Sequence, residues 1–62
     1  MTTTLHKDYV EVEMSFAEAI HVARNEFSHS DYERRAARLI LANEVERMKT
    51  VGEQYETRTV RL

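Results

Sequence analysis

The sequence predicts a small α+β domain of order β-α-α-β, a helical hairpin packed on a two-stranded ribbon. Three observations carry this expectation. Residues 8–14 alternate apolar and polar side chains, two Ser-x-x-Glu boxes stand where helices should begin, and the closing stretch YETRTVRL returns to β-branched and aromatic types.

Residues 1–7, MTTTLHK, show no such alternation and read as a flexible arm before a single domain of residues 8–62. Successive side chains of a strand point to opposite sides. Val10, Val12 and Met14 therefore share one face of the first strand, and Tyr9, Glu11 and Glu13 the other. Ser15 starts the first helix. It stands three positions before Glu18, so its hydroxyl can accept a first-turn N–H while the carboxylate accepts the N–H of Ser15 itself. Phe16, Ala19, Ile20, Ala23 and Phe27 follow at helical spacing and form one apolar stripe.

Ser28-His29-Ser30 makes the turn between helices. Ser30 and Glu33 repeat the capping box, and Asp31 adds negative charge where the helix dipole favours it. The second helix is expected over residues 31–51, a length of about 30 Å at 1.5 Å per residue. Gly52, the only glycine, stands where a left-handed cap would end it. A second strand over residues 55–60 completes the order.

A chain of 62 residues is short for a self-sufficient core; domains of this size bury only about 60% of their unfolded surface. With no cysteine, disulfides and thiolate zinc sites are excluded. Association with another chain is the remaining route to stability. Nine Lys+Arg against eleven Asp+Glu give a net charge of −2, which is not the profile of a protein that binds nucleic acid by bulk charge. No apolar run approaches the length of about 18 residues that a membrane helix requires, and the first residues lack the core of a signal peptide. The expected location is cytoplasmic, with no membrane partner.

The second helix carries more apolar surface than one small core uses. Tyr32, Ala36, Leu39 and Ile40 point one way, and Ala37, Leu41, Val45 and Met48 another. Together they span about 200°, where a helix on a single core shows about 100°. Ala37, Leu41, Val45 and Met48 are therefore expected to meet another chain, with a homodimer as the leading form.

No residue set assembles a catalytic, cofactor or metal site. His6, His21 and His29 are scattered over arm, helix and turn without ligand spacing, and the serines are explained as caps and turn residues. The expectation is a non-enzyme without cofactor. Arg34, Arg35 and Arg38 lie together near the start of the second helix and, with Ser30, make a candidate site for a phosphate or for carboxylates of an acidic partner.

A strand, a short helix, a turn and a longer helix over residues 9–48 resemble the ribbon-helix-helix repressors and antitoxins. The resemblance implies a dimer whose paired strands enter the major groove with Tyr9, Glu11 and Glu13, while Ser30 and Arg34 hold a phosphate. The glutamates depart from that pattern, since the family usually offers Lys, Arg, Gln, Asn or Thr there. A carboxylate in the groove accepts only from cytosine N4 and faces rows of phosphates. In the reading preferred here, YETRTVRL pairs beside the first strand, with Arg58 or Arg61 and Thr57 or Thr59 opposite or diagonal to the glutamates. The acidic face is then suited to a basic protein surface. The expected function is a non-catalytic protein-interaction module, a small regulator or inhibitor of the kind phages and mobile elements carry. A DNA-binding regulator is the alternative.

Overall fold

The computed structural model describes residues 1–44 and 52–62. Five main elements follow one another: β1 (Thr2–Leu5), β2 (Val10–Ser15), α1 (Phe16–Arg24), α2 (Asp31–Glu44) and β3 (Thr57–Arg61). Short 3-10 turns occupy Glu26–Ser28 and Gly52–Tyr55. The strands form one antiparallel sheet in the order β1-β2-β3, and the paired helices pack on β2 and β3.

The two-stranded ribbon expected from the sequence is thus a three-stranded sheet. Thr2–Leu5, read as part of a loose arm, pairs with β2 through Thr2↔Glu13, Thr3↔Val12, Thr4↔Glu11 and Leu5↔Val10. A tight turn closes the hairpin, with the His6 N–H donating to the Tyr9 carbonyl at 2.9 Å. All four β1 residues are exposed, so neither face of this strand carries the apolar alternation that would announce it. Its threonines supply β-branched side chains that suit a strand, and the ladder to β2 does the rest.

Ser15 is both the last residue of β2 and the N-cap of α1, in extended conformation at φ −81° and ψ 167°. Both arms of the predicted capping box form: the Glu18 N–H donates to Ser15 Oγ at 3.1 Å, and the Ser15 N–H donates to Glu18 Oε1 at 2.8 Å. The Ser15 N–H holds the Glu18 carboxyl below its ordinary range, against a partial burial that raises it, and the Met1 ammonium at 3.1 Å helps. A carboxyl with a lowered native pKa contributes its full stabilisation above the unfolded value, about 4.3, and loses it as the pH falls through the native one. Thermal midpoints measured from about pH 5 to pH 2 should therefore fall more steeply for the wild type than for Glu18→Gln, which keeps the amide acceptor but does not titrate. Parallel curves would show that the box stabilises without its charge.

The core joins Val12 and Met14 of β2, Phe16, Ala19 and Val22 of α1, and Ala36, Ala37 and Ile40 of α2. Val60 of β3 and Leu62 just beyond it pack against the core, partly buried. In β3, Arg58 shares the helix-facing side but stays half-buried, with its guanidinium donating to the carbonyls of Glu53 and Glu56 at 2.7 and 2.6 Å.

Three local expectations are corrected. First, α1 stops at Arg24, where Asn25 leaves helical geometry and its Nδ2 donates to the His21 carbonyl at 2.9 Å. Extending the stripe to Phe27 goes a turn too far: Phe27 is 100% exposed, and Val22 rather than Ala23 completes the buried face. Second, Gly52 opens a 3-10 turn and has no positive φ, so it is not a left-handed cap.

Third, the buried stripe of α2 runs between the two arcs drawn from the sequence. Ala37, assigned to a partner chain, is buried in the protein's own core, and Leu41 packs against that core. Val45 and Met48 lie outside the described residues, as does the helix expected over residues 45–51. The large apolar side chains left exposed on the described part of α2 are Tyr32 and Leu39.

Candidate interaction face

Among the described residues the helices cover β2 and β3 on one face of the sheet and leave the other face open. Strand pairing builds two rows across it. Glu11 stands between Thr4 and Arg61, and Glu13 between Thr2 and Thr59. The cross-strand partners expected for the acidic face, an arginine and a threonine of the C-terminal strand, are therefore in place. Such pairs contribute roughly 0.2–1 kcal/mol each.

At the hairpin end the open face gains an aromatic cluster. The His6 ring stacks on Tyr9 with centroids 4.3 Å apart and planes at 20°. The Arg61 guanidinium lies 4.1 Å from the Tyr9 centroid, a cation–π contact worth about 0.5–1 kcal/mol where water is near. His6 Nε2 is 3.7 Å from Glu11 Oε1. Glu13, by contrast, has threonines on both sides and no cationic partner among the described residues. The centre of the face is thus anionic, and one end is aromatic and basic. Sequence reasoning placed Tyr9, Glu11 and Glu13 together but missed His6, because only the turn at residues 6–9 folds it back over Tyr9.

The candidate anion site is not assembled. Ser30 Oγ already accepts the Glu33 N–H at 3.2 Å, and Glu33 Oε1 accepts the Ser30 N–H at 3.1 Å and lies 3.2 Å from His29 Nδ1. Arg34 is 3.6 Å from Asp31 and donates to the Glu26 carbonyl at 3.3 Å, and Arg38 reaches Glu26 Oε1 at 4.0 Å. Arg35 instead lines a shallow groove with Arg38, Leu39 and Leu62. The protein's own carboxylates therefore stand around the positions an incoming anion would take.

The histidines do not converge either. His21 and His29 meet edge to face at 5.7 Å, and the described residues contain no group of three His, Cys, Asp or Glu side chains placed to hold a metal ion. Among the described residues no helix is long and apolar enough to cross a membrane. The fold and this face together define a small α+β domain with one covered and one open sheet face. Comparison with protein-family models, curated proteins and solved structures returns no match.

Proposed function

We propose that this chain is a non-catalytic protein-interaction module, a small regulator or inhibitor of the kind phages and mobile elements carry. It acts in the cytoplasm by docking its open sheet face on a basic surface of another protein. The observation that supports this most strongly is Glu13, which stands beside Glu11 on the central strand without a cationic partner among the described residues and is flanked by short threonine side chains that allow close approach. Tyr9 and Arg61 stand at one end of the face, and Tyr and Arg are residue types that carry much of the binding energy in protein interfaces. An acidic centre selects a basic partner and repels phosphate.

The ribbon-helix-helix alternative needs the strand of a second chain beside β2. Both sides of β2 are occupied here, by β1 and β3, so that dimer requires one of them to leave.

The immobilised chain should retain a basic protein from a lysate of its host, and the double variant Glu11→Gln, Glu13→Gln should weaken that binding at least about tenfold, or 1.4 kcal/mol. Its thermal midpoint should stay within a few degrees of the wild type. Retention that ignores the double substitution, or tight binding to duplex DNA at low salt, would overturn the reading.

A further inference from the structure

We infer that the edge of β1, which no described strand pairs with, is a self-association surface. On it a second copy pairs its own β1 antiparallel about a two-fold axis at Thr3, giving a continuous six-stranded sheet. This goes beyond the partner face above, which is the broad face of the sheet rather than its edge.

The direction of each backbone group follows from the hydrogen bonds. Val10 and Leu62 exchange both of theirs, at 3.2 and 2.7 Å, so Val10 presents its N–H and C=O toward β3. Backbone groups alternate along a strand, so Glu11 and Glu13 present theirs toward β1, where Thr4 and Thr2 stand opposite. The bond from His6 to Tyr9 obeys the same alternation. Thr3 and Leu5 therefore aim their N–H and C=O groups out of the sheet.

A symmetric antiparallel neighbour must set outward-facing residues against one another. A two-fold axis at Thr3 does so, pairing Thr3 with Thr3 and Leu5 with Met1 of the other copy. An axis between Thr3 and Thr4 would oppose outward and inward groups and form no ladder.

The side chains agree with this register. Thr3 and Leu5 lie on the helix side of the sheet, opposite Val12 and Val10, yet the helices leave β1 uncovered. Leu5 is 71% and Met1 47% exposed. In the proposed pairing each Leu5 covers the Met1 of the other copy, and on the open face Thr2 meets Thr4. Residues 1–5 contain no charged side chain, so the axis brings no like charges together, and none of the lysines or prolines that usually guard an edge is present. The opposite edge, β3, carries Arg58 and Arg61.

The contact is small, so a Kd of about 100 µM is expected. Sedimentation or light scattering up to about 1 mM should show the mass rising from 7.3 kDa toward twice that value and no further. Thr3→Pro removes only an outward N–H, which an edge strand tolerates, and Thr3→Lys sets two ammonium groups across the axis; both should remain monomeric with the wild-type circular dichroism spectrum. Should Thr3→Pro misfold, Thr3→Lys and the following cross-link still decide.

Two copies of Thr3 lie about 5.5 Å apart between Cα atoms in such a pair, within disulfide reach. Two copies of Leu5 lie about 13 Å apart, four residues of strand rise. In this cysteine-free chain, Thr3→Cys should therefore oxidise to a covalent dimer at least about tenfold faster than Leu5→Cys. A wild type that stays monomeric at 1 mM, equal oxidation rates, growth beyond the dimer, or a dimer lost with Leu39→Glu but kept in Thr3→Lys would each overturn the proposal.

Discussion

Replacing Met14 with alanine is expected to leave most of the chain unfolded at 25 °C. Met14 is 0% exposed, near the end of the middle strand that runs into α1 and beneath both helices. Truncating a buried methionine to alanine costs about 2–5 kcal/mol, because contacts are lost and the surroundings only partly fill the space. Domains are stable by about 5–15 kcal/mol in total. A chain of 62 residues without a disulfide belongs at the low end of that range. Urea titration followed by circular dichroism should show a midpoint near zero denaturant. Met14→Leu, which nearly conserves volume, should cost less than about 1.5 kcal/mol and remain folded. A Met14→Ala midpoint close to that of the wild type would place the core elsewhere.

Deleting residues 56–62 is the second change of large expected effect. It removes β3 and with it the ladder from Glu11↔Arg61 to Ser15↔Thr57, together with the apolar cover of Val60 and Leu62. Full burial of one such aliphatic side chain is worth about 1.5–3 kcal/mol. These two are partly buried and contribute less each, but losing both together with a five-residue ladder should abolish cooperative thermal unfolding. The same deletion separates the two functional readings. A ribbon-helix-helix chain needs only strand, helix and helix, and would survive the loss as a dimer paired through β2. A truncated chain that melts cooperatively and binds duplex DNA would therefore revive the DNA-binding alternative.

The surface logic of the protein follows from which edges and faces the sheet leaves uncovered. Glu11 and Glu13 cannot be core residues, because Val12 and Met14 between them take the covered side. Their open face then depends on what the flanking strands bring. Arg61 comes beside Glu11 but spends its guanidinium on Tyr9, while Thr2 and Thr59 leave Glu13 without a counter-ion among the described residues.

Features set by residues within one turn of chain were legible in the sequence. The two capping boxes, Ser15 with Glu18 and Ser30 with Glu33, form as their spacing requires. The alternation of Val10 to Met14 assigned the two sides of β2 correctly, since a period of two admits only one partition. The last strand was also expected, and it spans Thr57–Arg61.

Tertiary structure alone decided the rest. Thr2–Leu5 becomes a strand because β2 offers it a ladder, a gain from outside the segment that exposed TTTL announces only through its β-branched threonines and not through any apolar alternation. The side of α2 that is buried depends on where α1 and the sheet meet it, so Ala36 and Ala37 are both covered while Leu39 is left outside. Phe27 is exposed because Asn25 ends α1 before the stripe can reach it. Local hydrogen bonds and side-chain period act on neighbouring residues and can be read from their order. Burial is a property of surfaces brought together from distant parts of the chain, and it emerges only when they meet.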